Sequence, residues 1–315
     1  MNTWWPAGYF TSCFYSIPVP LFFMLSGYSA GGLGTPRVSL FKFLRRKSGG
    51  ILLPFFFWNA VLILLVLRAA DQSWLECGIL FLTGVWQLYY LFVLLQLLFL
   101  KQFVSRRYLP HVLVAAAFCA VAYYGLANYW MWTRGITSTE MEVHFNRTVF
   151  PWAIYFFTGV LLRQRPQSLE WLAKRRWWLV AIWAMSYLAY STELRYEGAY
   201  LECHPLQQIM LSGLPFQWAG AVSLIVLFCE AERRHFISPV RKALGFFGKE
   251  SYGIYLAHTT LLVLLLKLYD RSGFTLPFAL EVPAAVVLLW VASWSLVRGA
   301  RMLPWRATRR LLAGG

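Results

Sequence analysis

Three groups of residues in this 315-residue chain have types and spacings that could carry chemistry. Ser251, Tyr255 and His258 recur at i, i+4 and i+7, so on a helix they form one polar stripe within an apolar run. His258 lies about fourteen residues, or about 21 Å of helix, into that run, and an imidazole at such depth is a candidate general base. Lys42, Arg45, Arg46 and Lys47 are the densest cationic cluster, and guanidinium forks suit phosphate oxygens. Glu140, Glu142, His144, Arg147, Glu193 and Arg195, with Trp130, Trp132 and Trp152 near them in sequence, are the residue types that hydrogen-bond and stack on sugars. Each group also has a plainer explanation. His258 could make only a helix-packing hydrogen bond, the cations could orient a loop that meets anionic lipid, and the carboxylates could belong to ordinary solvated loops.

Other positions carry weaker signals. Ser26 is not surrounded by a GxSxG elbow, and with Gly27 it suits close helix packing better than nucleophilic attack. His111 at a helix start and His235 beside Arg233 and Arg234 have no polar stripe around them, and the pair Gly49, Gly50 is a poor phosphate-loop signal. Asn146-Arg147-Thr148 fits the glycosylation pattern but lies against an apolar run. Cys13, Cys77, Cys119, Cys203 and Cys229 form no CxxC and no Cys/His pair at zinc-ligand spacing, so neither a metal site nor a disulfide framework is expected.

The elements that must position these groups follow from composition. Of the residues, 59% are apolar and 13% charged, a surplus that a single soluble core cannot absorb. The 16 Trp, 17 Tyr and 25 Phe suit membrane–water interfaces. Crossing the hydrocarbon takes about 20 apolar residues as helix. Runs of that kind cover 13–33, 50–70, 85–103, 109–127, 148–162, 177–191, 206–229, 244–267 and 276–297, with the short stretch 77–82 expected at the interface. The runs do not alternate in polarity as barrel strands do. The expected fold is therefore all-α: one polytopic transmembrane helical bundle over residues 1–315, of about nine spans.

The net charge of +16 is explained by its distribution. Segments 37–47, 101–107, 163–176, 233–249 and 298–310 hold 23 of the 29 Lys and Arg, whereas Arg68, Arg134, Arg147, Arg195, Lys267 and Arg271 share the opposite loops with most of the acidic residues. By the positive-inside rule the first set is cytoplasmic, which puts the C-terminus inside and Met1 outside. No nucleic-acid partner is needed. Residues 1–12 carry no cleavable signal peptide that would export such an end.

Three stretches carry a family resemblance. The first is Ile17-Pro18-Val19-Pro20-Leu21-Phe22-Phe23-Met24-Leu25-Ser26-Gly27-Tyr28, followed by Lys42-Phe43-Leu44-Arg45-Arg46-Lys47 and Leu52-Leu53-Pro54-Phe55-Phe56-Phe57-Trp58. The second is Gln87-Leu88-Tyr89-Tyr90-Leu91-Phe92-Val93-Leu94-Leu95-Gln96, and the third Gly248-Lys249-Glu250-Ser251-Tyr252-Gly253-Ile254-Tyr255-Leu256-Ala257-His258. In order and spacing they resemble acyltransferase family 3, bacterial integral-membrane O-acyltransferases that modify cell-surface glycans.

The resemblance implies a ten-helix domain of the bacterial inner membrane, with both termini cytoplasmic. It also implies transfer of an acyl group, often acetyl, from cytoplasmic acyl-CoA to a sugar hydroxyl at or beyond the outer face. Acyl-CoA is then a co-substrate rather than a bound cofactor, with Lys42, Arg45, Arg46 and Lys47 as its expected phosphate ligands. The partners are membrane lipid, a saccharide acceptor and other polysaccharide-biosynthesis proteins. The family's first helix carries an arginine and a histidine thought to be catalytic, and neither has a counterpart here. Nine spans with Met1 outside equal ten spans less the first, so a misplaced start codon or a truncated gene is expected. His258 is then the remaining intramembrane candidate for catalysis. Two rival expectations are a transporter or flippase for a glycan precursor and an inactive remnant. The two halves show no internal repeat of the kind many transporters have.

Overall fold

The computed structural model describes residues 16–34, 37–67, 73–134, 145–200, 210–235, 238–272, 278–304 and 311–312. Among them every regular element is helical. The backbone divides into two compact units, one of Met1–Arg37 with Val93–Phe236 and the other of Val38–Phe92 with Ile237–Gly315.

The first unit holds α1 (Pro18–Ser29), α6 (Leu109–Arg134), α7 (Ala153–Gln164), α8 (Pro166–Lys174), α9 (Arg176–Tyr200) and α10 (Gly213–Arg233), plus most of α5 (Tyr89–Leu100). α1 and α7 meet at two glycines. A Cβ on Gly27 would lie 1.9 Å from the Phe156 carbonyl oxygen, and one on Gly159 would lie 1.8 Å from that of Met24. No side chain fits at either position, which gives Gly27 the packing role its Ser-Gly setting suggested. Phe23 stacks on Trp152 at 5.1 Å beside this crossing, and the Trp152 indole N–H donates to the Asn146 carbonyl at 2.8 Å. α10 packs against α1 and α9, where Tyr190 stacks on Phe216 at 4.9 Å within a cluster that includes Ile17 and Met210. Lys101, in the 3-10 turn Lys101–Phe103, is buried and donates to the Ala30 carbonyl at 2.6 Å, a cation placed at the negative end of α1.

The second unit holds α2 (Leu40–Lys47), α3 (Leu53–Leu62), α4 (Trp74–Thr83), the start of α5, α11 (Ser238–Ser272) and α12 (Phe278–Met302). Ser39 caps α2, and a π-helical turn, Ser48–Leu52, joins it to α3. Phe55, Trp58, Asn59 and Leu62 form the buried stripe of α3, at the spacing a helix needs to present one face to neighbours α4 and α11. α4 begins with a capping box, in which Ser73 and Glu76 satisfy each other's backbone N–H. It covers the stretch 77–82 that was expected at the interface.

A helix lies over each of the nine expected runs, but they are not equal. Among the described residues, Leu40–Leu65, Leu109–Trp130, Gly213–Arg233, Glu250–Ser272 and Pro283–Met302 are long and apolar enough to cross a membrane, and the pair Trp74–Thr83 and Trp86–Phe103, bent by 49°, makes up to six. α1 and α7, at 12 residues each, rise about 18 Å against a hydrocarbon core of about 30 Å. α9 is 25 residues long and is not among the five, and its last turns carry Glu193, Arg195 and Glu197. The surface is apolar where the sequence runs are: Val114 and Phe118 on α6 and Val286, Val287 and Leu288 on α12 are all exposed. Apolar exposure on that scale fits lipid as the surrounding solvent. The nine-span count is therefore not carried by helix length and hydropathy alone.

Candidate active site

In the second unit the chemistry gathers at an interruption. The helix running through α4 and α5 is broken between Thr83 and Trp86. Gly84 takes φ +100°, and a Cβ there would lie 2.5 Å from the Tyr89 nitrogen, so only glycine fits. Trp86 takes φ +45°, a left-handed conformation that costs a bulky residue energy. A 3-10 turn, Trp86–Leu88, then leads into α5.

Backbone groups freed by such a break have no water to turn to in a membrane, so side chains must take them. Asn59, fully buried on α3, serves both sides: its Oδ1 accepts from the Val85 N–H at 2.8 Å, and its Nδ2 donates to the Phe81 carbonyl at 3.5 Å. From α11 the Tyr255 hydroxyl donates to the Gln87 carbonyl, and the Tyr90 ring meets the Tyr255 ring edge-on at 5.6 Å. The second and third family-like stretches are thus joined directly, with Asn59 following the close of the first.

One turn beyond Tyr255 lies His258. Its Nδ1 is 2.7 Å from the Tyr255 carbonyl oxygen. A carbonyl only accepts, so this contact assigns the Nδ1 proton in the neutral ring and leaves the Nε2 lone pair to receive a proton. The expected stripe is realised in part, because the Ser251 hydroxyl turns back to the Gly248 carbonyl at 2.8 Å. In the same stretch Glu250 is buried at 3% side-chain exposure, with Arg301 at 2.8 Å and Arg298 at 3.8 Å on α12.

The cationic cluster sits on α2 of this unit. Lys42, Arg45 and Arg46 are exposed, while Lys47 is half-buried one turn after the buried Phe43. None of the four meets a carboxylate among the described residues. The remaining expected site residues belong to the first unit or fall outside the described residues. Arg147 is half-buried in the turn before α7, where its carbonyl accepts from Gln96 Nε2 at 3.3 Å. The Glu193 carboxylate accepts from the Leu211 N–H at 3.1 Å, the Ser212 N–H at 2.8 Å and the Ser212 hydroxyl, and so caps the turn into α10. Arg195 follows on α9. Glu140, Glu142 and His144 lie outside the described residues, and no three His, Cys, Asp or Glu among those described could hold a metal ion.

Sequence reasoning overlooked Asn59, Glu250 and Lys101. Asn59 was detectable: it is a lone amide inside the apolar run 51–67, and the rule that singled out His258 applies equally to it.

The model of a family described as an acyltransferase domain, acyltransferase family 3, matches residues 2–298. The chain belongs to this family. Neither the curated proteins nor the solved structures contain a match. The resemblance read from three short stretches is thereby extended to nearly the whole chain, and the multi-span helical protein is an acyltransferase.

Proposed function

We propose that this acyltransferase moves an acyl group, acetyl in the simplest case, from cytoplasmic acyl-CoA to a hydroxyl of a cell-surface or lipid-linked saccharide. The observation that carries the reading is the junction of Tyr255 with the Gln87 carbonyl, which sets His258, its Nδ1 toward the Tyr255 carbonyl, one turn along α11 from the residue that holds the broken helix. Along α11 Tyr255 is about 21 Å after Arg241, so from its basic end that helix carries the junction well into a hydrocarbon core.

The reaction uses these groups as follows. The acceptor hydroxyl donates its hydrogen bond to His258 Nε2 and attacks the thioester carbonyl carbon, and its proton passes to Nε2. A new C–O bond forms, the C–S bond breaks, and the imidazolium returns the proton to the departing thiolate. The products are the O-acyl sugar and free CoA, with no redox change. Tyr255 is a positioning residue, since its hydroxyl is committed to the backbone of the break. Lys42, Arg45, Arg46 and Lys47 hold the phosphates of acyl-CoA, a role supported by the exposure of the first three and by the lack of carboxylate partners for the four among the described residues. Arg147, Glu193, Arg195 and the segment with Glu140, Glu142 and His144 belong to the acceptor side in this scheme, with Glu193 acting through the turn it caps.

The proposed topology has nine passes through the bacterial inner membrane, the start of this chain outside and its C-terminus cytoplasmic. The alternation of basic and acidic loops supports it. Broken helices also occur in transporters, so the assay must separate the two classes. Membranes containing the protein are incubated with radiolabelled acetyl-CoA. Label in a glycan above empty-vector membranes supports transfer. Background label together with glycan-precursor uptake into vesicles sinks it in favour of transport.

A further inference from the structure

The broken helix offers one more functional group, the carboxamide of Gln87. Its Nε2 is buried, and no hydrogen-bond partner meets it among the described residues. An unmet buried donor is a cost that packing would ordinarily remove, by a partner or by an apolar side chain. Here neither has happened, although the backbone around it is pinned on both sides. Asn59 fixes Val85, Tyr255 fixes the Gln87 carbonyl, and Gly84 allows the chain to turn between α4 and the 3-10 turn. The side chain is therefore carried on a rigid mount and plays no part in building it.

The neighbours define what the amide would meet. Tyr255, whose hydroxyl holds the Gln87 carbonyl, stands one helical turn before His258 on α11, and the histidine holds its proton toward the Tyr255 carbonyl. An acceptor of protons and a donor of neutral hydrogen bonds are thus linked through Tyr255. That pairing suits an oxygen on which negative charge grows while a proton leaves the attacking group.

We infer that the Gln87 carboxamide is a substrate-contacting hydrogen-bond donor, which gives its N–H to an oxygen of the substrate. The inference rests on the reading of the break as the acyl-transfer site. Two oxygens have the required chemistry, the thioester carbonyl of the acyl donor and the ring or hydroxyl oxygen of the sugar, and kinetics tell them apart.

The test compares wild type with Gln87→Met, which keeps length and removes the donor, and with Gln87→Glu, which keeps shape and turns donor into acceptor. Thermal unfolding in detergent is measured without substrate, and transfer is measured in membranes with radiolabelled acetyl-CoA. A substrate-contacting amide predicts opposite movements: Gln87→Met unfolds about 1–3 °C higher, because the unmet donor is gone, while transfer falls about 100-fold. A fall in kcat at constant KM assigns the thioester carbonyl, and a rise in the acceptor KM at constant kcat assigns the sugar. A structural amide predicts that stability and transfer fall together, and that result overturns the inference. Equal transfer by wild type and Gln87→Met overturns it as well, leaving the site reading intact. Wild-type membranes that never transfer label defeat the site reading itself; the unfolding comparison then still decides Gln87, since a less stable Gln87→Met shows a built-in structural bond.

Discussion

Asn59→Leu is the perturbation that isolates the break, because leucine keeps the branched heavy-atom shape of the side chain and removes both of its hydrogen bonds. The bond to the Val85 N–H, at 2.8 Å, is of ordinary length, and the one to the Phe81 carbonyl, at 3.5 Å, is at the limit. Hydrogen bonds between membrane helices are worth about 0.6 kcal/mol on average, because the separated helices find other partners. Val85 has no such recourse, since the break parts its N–H from the Phe81 carbonyl one turn back, and the Asn59 amide stands in for each to the other. Leaving a buried donor unmet costs about 1–3 kcal/mol. With the weak second bond added, Asn59→Leu is expected to destabilise by about 2 kcal/mol, a factor of about 30 in the opening equilibrium. Hydrogen exchange in detergent micelles reads this directly: the Val85 and Trp86 amides lose protection while those in the middle of α6 keep theirs. Unchanged protection at Val85 would refute the claim that Asn59 holds the break together.

Other outcomes follow from single contacts. Gly27→Ala and Gly159→Ala each drive a methyl group into a backbone carbonyl, so α1 and α7 must separate; each variant is expected to lose about 3 kcal/mol or more, read as loss of the folded fraction in detergent. Glu250→Ala removes the buried partner of Arg301, whose side chain is 34% exposed and can turn to water, and is expected to cost about 1–3 kcal/mol, whereas Arg298→Gln, at 3.8 Å and half-exposed, costs less than about 1 kcal/mol. Thermal unfolding of the two variants side by side checks that order.

Much of this architecture was readable in the chain because a bilayer restricts what an apolar run can become. Among the described residues a helix lies within each of the nine runs, and Gly27 packs as its Ser-Gly setting suggested. What the runs did not reveal is that α1 and α7 are only 12 residues long, since hydropathy reports composition and not where a backbone leaves the helix. The break was hidden for a related reason. Gly84 is one glycine among 22, and nothing local says that Asn59, 26 positions upstream of Val85, takes up the freed N–H. His258 was legible through its depth alone, and its tautomer needed the position of the Tyr255 carbonyl. Glu193 read as a candidate sugar-binding carboxylate of an outer loop, because its partners at Leu211 and Ser212 are far along the chain.

The central claim is that acyl transfer happens at His258, one turn from the Tyr255 that holds the broken helix. Its most direct test is kcat for transfer from radiolabelled acetyl-CoA to glycan in membranes carrying wild type or His258→Gln, at matched amounts of folded protein. Loss of a general base predicts a fall in kcat of about 100- to 10,000-fold with the acetyl-CoA KM little changed. Transfer by His258→Gln at the wild-type rate would contradict the account.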